Sequence, residues 1–305
     1  MPTGGRRARR RREVQKNMVE QMSPADAAGS GALSPVGFVG AGSMGAPMIE
    51  RLLAADVPVH LYARRAEVRA RFAGLGAVVE PSLAAVAAAA EVLIVCPFSA
   101  IQLAEIVGGP DGLLAHATPG SVVVQHATVP TAAIRQLAAD AATRDVTVLD
   151  APISGTSATI LAGRLTVLIG GTAAAADRVE PLLAAYASTI VRTGEVGSAT
   201  TVKLINNLTF AAHAQTAAAA VQLGEKLGIR SGDLLTAITA CSADSAVFRH
   251  LQAIGGVEEF LAMAGPYLRK DVAAVEEVTA ALGLDTGILG EVVQSGPLPL
   301  TASRL

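Results

Sequence analysis

The feature that most constrains this chain is the place where its strands stop. From Pro35 to Gly194, short apolar runs alternate with helix-patterned segments, and after Gly197 no strand-like run follows. The runs are VGFVG (36–40), VPVHLYA (57–63), VV (78–79), EVLIVCP (91–97), SVVVQHA (121–127), VTVLDAP (146–152), LTVLIGG (165–171) and STIVRTG (188–194). Several carry no charge along their length, the mark of strands covered on both faces. Such alternation predicts a parallel sheet with helices on both sides. One long helix is expected over 198–228, ending at Gly228, with shorter helices near 231–240, 245–254 and 266–282. The shift divides the chain into an α/β domain of residues 35–196 and an all-α domain of residues 197–305.

Residues 1–34 stand apart. Six arginines lie between Arg6 and Arg12, and SPADAAGSGALSP is small, turn-prone and without periodicity, so an Arg-rich disordered extension is expected. No apolar stretch follows the basic run, which argues against a secretory signal; a nucleic-acid arm or a transit peptide are the other readings. With a net charge of −2, the chain has no general attraction for nucleic acid or an anionic membrane. Cys96 and Cys241 are too few for a disulfide framework, and neither they nor the five histidines show metal-ligand spacing. The run from Leu83 is broken by Glu91 and Pro97, too soon to span a bilayer, so a cytoplasmic protein is expected.

Between the first strand and the first helix lies GFVGAGSMGAPM, which contains Gly40-x-Gly42-x-x-Gly45. In that position the three glycines fit a dinucleotide loop: a tight turn, a backbone open to pyrophosphate, and close helix–strand packing. Gly40, Gly42, Ser43, Met44 and Gly45 are therefore candidate cofactor-binding residues, with the phosphates at the helix N-terminus. The second strand ends LYARR, with Ala63 where an NAD enzyme typically places Asp or Glu, then Arg64 and Arg65. Guanidiniums in place of the acid suit a 2′-phosphate, so NADP is expected, with NAD possible.

The long helix opens ATTVKLINN, and its lysine stands out because the chain has only four (Lys16, Lys203, Lys226, Lys270) among 24 basic residues. Unlike arginine, a buried lysine can lose its proton. Lys203 and Asn207, spaced i, i+4, share a helix face.

Together these segments resemble the β-hydroxyacid dehydrogenases, the 3-hydroxyisobutyrate dehydrogenase-like family with its 6-phosphogluconate dehydrogenase-type NADP-binding domain. The family pattern GFxGxGxMGxPM is matched by residues 37–48, DAPVSGG by DAPISGT (150–156), GxxxKxxNN by ATTVKLINN (199–207), and a Lys-Asp pair by Lys270 and Asp271. The resemblance implies a Rossmann-type domain, a long interdomain helix and a helical C-terminal domain, assembled as a homodimer or homotetramer. It implies reversible NAD(P)-dependent oxidation of a short β-hydroxy acid to its semialdehyde or keto form. Lys203 matches the catalytic lysine and Asn207 its substrate-binding neighbour. Ser154, Gly155 and Thr156 match the loop that holds the substrate carboxylate, Thr128 a threonine near the nicotinamide, and Lys270 a residue that closes over the cofactor. The rival readings are an imine reductase on the same scaffold, in which the lysine is usually replaced, and a catalytically silent dinucleotide-binding protein. Thr156 departs from a family glycine, Gln125-His126-Ala127-Thr128 from Asp-x-Ser-Thr, Ala199 from a glycine, and Ala219 from a frequent glutamate.

Overall fold

A computed structural model describes residues 34–301 of the chain. The expectation for residues 1–33 lies outside the described residues. Six strands form the parallel core: β1 (Val36–Val39), β2 (Val59–Tyr62), β3 (Val78–Val79), β4 (Val92–Val95), β5 (Val122–Gln125) and β6 (Thr147–Asp150). They lie side by side in the order β3-β2-β1-β4-β5-β6, with Val36 facing Val59 on one side and Val92 on the other. This is the order of a dinucleotide-binding sheet, with its reversal between β1 and β4. Strands β1, β4 and β5 are buried along their whole length, which explains their uninterrupted apolar sequences.

The helices of this half are α1 (Gly45–Ala54), α2 (Ala66–Gly74), α3 (Leu83–Ala89), α4 (Ala100–Leu103), α5 (Leu113–His116) and α6 (Thr131–Ala142). A π-helical turn, Ala104–Gly108, continues α4. Beyond β6 the sheet reverses, where continuation in parallel was the simpler expectation. A short strand β7 (Ile153–Ser154) and helix α7 (Ser157–Leu161) lead into β8 (Leu165–Gly170), which runs antiparallel to β6 and β7. The segment between β6 and β8 is taken up by β7 and the 5 residues of α7, so no full crossover helix carries the chain back for a parallel pairing. Helix α8 (Ala173–Leu183) then returns the chain to β9 (Ala187–Gly194), parallel to β8.

The all-α half begins with α9 (Ser198–Lys226), followed by α10 (Ser231–Thr239), α11 (Ala246–Ile254), α12 (Val257–Leu282) and α13 (Gly287–Ser295). Sequence periodicity alone began α12 at Pro266; the helix instead starts nine residues earlier, with Pro266 inside it. On α9, Ala211, Ala214, Ala217 and Ala218 are buried within the helical core. Alanine favours the helix, and its small side chain lets α12 and α13 approach closely.

Asp150, fully buried at the end of β6, ties the two halves together. Its carboxylate accepts the Gly197 N–H at 2.7 Å and the Thr200 N–H at 2.8 Å, so a strand end supplies the anion that caps α9. Gly170 leaves the room for this, since a side chain there would overlap Asp150 Oδ1. No helix among the described residues is long and apolar enough to cross a membrane.

Candidate active site

The C-terminal ends of β1, β2, β4, β5 and β6 open along one edge of the sheet. There lie the glycine loop, Arg64 and Arg65, Cys96 to Phe98, Thr128 and the Ser154 loop. Ligands of open α/β sheets bind along that edge. Gly40 has φ +106°, and a side chain on it would strike the Cys96 carbonyl of the neighbouring strand. A side chain on Gly45 would strike the Gly40 carbonyl, so α1 packs against β1 only with glycine there. Gly42 differs: nothing lies within 4 Å of the space its side chain would fill. Protein packing explains the first and third glycines, while the second faces open space. Next to it Ser43 and Met44 turn into α1, whose start has no side-chain cap.

A cavity of about 430 Å³ lies against this loop, lined by Gly40, Gly42, Arg64, Arg65, Cys96 and Phe98 among others. A second hollow, about 320 Å³, shares Gly42 and Arg65 and reaches between α1 and α7. Arg69 donates to the carbonyls of Ala63 at 3.0 Å and Arg64 at 2.6 Å, fixing the backbone at the strand end. The Arg64 side chain has no partner among the described residues, and Arg65 has only Glu67 at 3.5 Å. An open glycine, an uncapped helix start and two available guanidiniums fit a phosphorylated dinucleotide.

On α9, Lys203 is half-buried and Asn207 buried. The structure adds Asp271 from α12. Its carboxylate lies close enough to the Asn207 amide, Lys203 and Lys270 for all three to favour its charged form. Burial pulls the Lys203 pKa below the ordinary lysine value, and Asp271 opposes that shift. Burial likewise raises the Asp271 carboxyl against the pull of Lys203, Lys270 and Asn207. In both residues the loss of solvation outweighs the attraction of the pair. Asn206, which is exposed, donates to Asn207 Oδ1 at 3.2 Å. No cluster of metal-ligating side chains occurs among the described residues.

Lys270 reaches over the cavity from the helical half. Its Nζ lies 3.3 Å from the Phe98 carbonyl and 4.7 Å from the centre of that ring. Phe98, exposed at the rim, was not singled out from the sequence. Gly155 has φ +145° and is crowded by Thr159 and Leu165, so the loop turns there only with glycine. The Thr156 hydroxyl caps α7, and its N–H is bound by Thr159 Oγ1 at 2.7 Å. Thr156 thereby shapes the loop, leaving Ser154 and the Gly155 N–H as its freer donors. Thr128 is half-buried beside the start of α9, where Thr131 meets Thr201 at 3.5 Å.

Family models match nearly all of the described chain. The NAD-binding domain of 6-phosphogluconate dehydrogenase matches residues 35–194, and the NAD-binding domain of NADP-dependent 3-hydroxyisobutyrate dehydrogenase matches residues 197–296. L-threonate dehydrogenase from Cupriavidus necator is 33% identical over 216 residues, 70% of this chain and 73% of that protein. The chain belongs to the β-hydroxyacid dehydrogenase family. A second member, 2-(hydroxymethyl)glutarate dehydrogenase from Eubacterium barkeri, is 28% identical over 267 residues, 88% of this chain and 85% of its own length. The fold is shared with 3-hydroxyisobutyrate dehydrogenase from Mycobacterium tuberculosis, with a TM-score of 0.76 at 24% identity, covering 86% of this chain and 92% of that one. An imine reductase from Pseudomonas sp. is more distant, with a TM-score of 0.58 at 16% identity over 86% of this chain and 91% of that one. As a β-hydroxyacid dehydrogenase the chain is an NAD(P)-dependent oxidoreductase.

Proposed function

We propose that this β-hydroxyacid dehydrogenase prefers NADP and interconverts a short β-hydroxy acid and its semialdehyde or keto form, with Lys203 as general acid and base. The observation that carries this reading is the half-buried lysine, its pKa lowered by burial, set with Asn207 and Asp271, while the adjacent Lys270 reaches Phe98 at the rim of the cavity by the glycine loop. When bound, the nicotinamide supplies or takes up a hydride. In reduction, Lys203 Nζ donates to the carbonyl oxygen and gives up a proton as negative charge develops there. In oxidation the neutral amine accepts the hydroxyl proton, and burial makes that neutral form accessible. Asn207 turns its amide N–H groups towards Asp271 and the substrate and accepts from Asn206 with one oxygen lone pair, which leaves an acceptor as well for the substrate. Ser154 and the Gly155 N–H hold the carboxylate, with Thr156 keeping the loop in shape. Thr128 flanks the nicotinamide, and Lys270 covers the cofactor from the rim at Phe98.

Residues 35–196 are the proposed NADP-binding domain, holding pyrophosphate through Gly40, Gly42, Ser43, Met44 and Gly45. Arg64 and Arg65 take the 2′-phosphate in this reading, because both have free donors beside the cavity. Residues 197–305 provide the substrate and oligomerisation domain. Its exposed Ile205, Leu223 and Leu227 support a homodimer or homotetramer, and a cytoplasmic location accords with the described helices. Lys203 favours hydroxy-acid chemistry over imine reduction, and the Lys203–Asp271–Asn207 arrangement argues against a silent dinucleotide binder.

The test follows NADPH absorbance across short hydroxy acids, their semialdehydes and cyclic imines, with Lys203→Met alongside. Turnover in the variant should drop by about 10³ while its Kd for NADPH stays within about twofold. A wild-type protein that binds NADPH yet reduces only the imines, or nothing at all, would sink the reading.

A further inference from the structure

His126 lies beneath the proposed substrate loop and has no part in the chemistry above. It is fully buried just past the end of β5, two residues before Thr128. Its Nδ1 sits 2.6 Å from the Ala151 carbonyl at the exit of β6, and its Nε2 sits 2.9 Å from the Tyr186 hydroxyl. A carbonyl oxygen only accepts, so Nδ1 carries the hydrogen and Nε2 accepts from the tyrosine. Tyr186 is itself fully buried and meets the imidazole edge-on, with ring centres 5.9 Å apart at 81°. Burial holds the imidazole pKa down at about 4 and pushes the tyrosine up, so both groups are neutral and the direction of the chain is fixed.

We infer that His126, held in one tautomer by Tyr186, is a positioning residue that sets the Ser154–Thr156 loop by gripping the Ala151 carbonyl. Three observations point there. First, Ala151 stands three residues before Ser154, at the exit of β6, so its carbonyl orients the chain that leads into the loop. Second, the same imidazole belongs to the strand end that carries Thr128, so one side chain couples the nicotinamide side of the site to the carboxylate side. Third, the backbone around it is already tied down independently. Gln125 donates to the Ala127 carbonyl at 2.8 Å and accepts its N–H at 2.7 Å, and the Ala151 N–H reaches the Gln125 carbonyl at 2.8 Å. The strand exits therefore hold without the imidazole, which leaves the orientation of the Ala151 carbonyl as its specific contribution. This inference rests on the substrate role proposed for the loop.

Two substitutions separate the halves of the chain. Asn in place of His126 overlays an amide N–H on Nδ1, keeping the donor to Ala151 and losing the link to Tyr186. Gln overlays the Nε2 end, keeping the tyrosine and losing Ala151. Hydrogen–deuterium exchange of the cofactor-free protein should then show residues 151–160 exchanging about tenfold faster in His126→Gln, with β1 and β4 unchanged. His126→Asn should stay near wild type. With the hydroxy acid, His126→Gln should raise KM about tenfold while leaving kcat and the Kd for NADPH within about twofold, and His126→Asn should restore KM. Wild-type exchange in His126→Gln overturns the proposal. So does acceleration spread evenly over the sheet, or exchange in His126→Asn as fast as in His126→Gln. If His126→Gln fails to fold, His126→Asn still decides, because a loosened loop there contradicts the assignment. Should the wild-type protein turn over no hydroxy acid, the functional reading falls while the exchange measurement still judges the positioning role.

Discussion

The two walls of the proposed site are built on different principles. The dinucleotide wall is backbone: three glycines within six residues, one helix start and one strand end, all local in sequence. The proposed catalytic wall is side chain: Lys203 and Asn207 from α9 meet Asp271 from α12, more than sixty residues later in the chain. The first wall tolerates no added atoms at Gly40 or Gly45, which press against carbonyl oxygens. The second depends on charge and solvation and has room for isosteric change. A site assembled this way should fail abruptly on one side and be tunable on the other.

The sharpest test of that difference is Gly45→Val. The added side chain has to displace the Gly40 carbonyl, moving the loop proposed to hold pyrophosphate. Overpacking of this kind costs up to about 3 kcal/mol of stability, and a displaced loop that loses its contacts to the cofactor should weaken NADPH binding by about 100-fold in a fluorescence titration. Near-normal affinity would mean that the backbone wall is softer than its contacts indicate. A smaller effect is expected from Arg64→Ala with Arg65→Ala. These remove side chains and leave the loop intact, so binding survives and only the choice of cofactor changes. Loss of charge-assisted bonds to a 2′-phosphate should raise KM for NADPH about 10- to 100-fold, with NADH nearly unaffected. Equal effects on both cofactors would remove the basis for an NADP preference.

The same contrast explains how much of the molecule was legible in its sequence. Gly40, Gly42 and Gly45 form a motif because their constraints act between neighbours in the chain, and the buried strands announce themselves by unbroken apolar runs. Lys203 and Asn207 were readable because four residues make one helical turn. Asp271 was visible only as half of a Lys-Asp pair, and nothing local says that α12 folds back to place it beside Asn207. Asp150 looked like part of a loop signature, whereas its buried carboxylate caps a helix that starts almost fifty residues later. The reversal at β8 was missed because sequence periodicity reports strands without their direction. Pro266 was read as a helix start, a position proline often takes, although α12 already runs through it.

The finest test lies on the tunable wall. The Asp271 carboxylate raises the Lys203 pKa, against the larger lowering caused by burial. Asp271→Asn removes the opposing charge and keeps a similar shape beside Asn207. The Lys203 pKa should then fall further below the ordinary lysine value. Because oxidation needs the neutral amine, kcat/KM for the hydroxy acid should rise with pH through an inflection set by Lys203. In Asp271→Asn that inflection should move to lower pH by about one unit, with NADP affinity unchanged. The reductive direction, which needs the ammonium, should lose activity at correspondingly lower pH. An inflection that stays in place would show that Asp271 leaves the lysine untouched, and one that moves towards higher pH would contradict the opposing charge assigned to it.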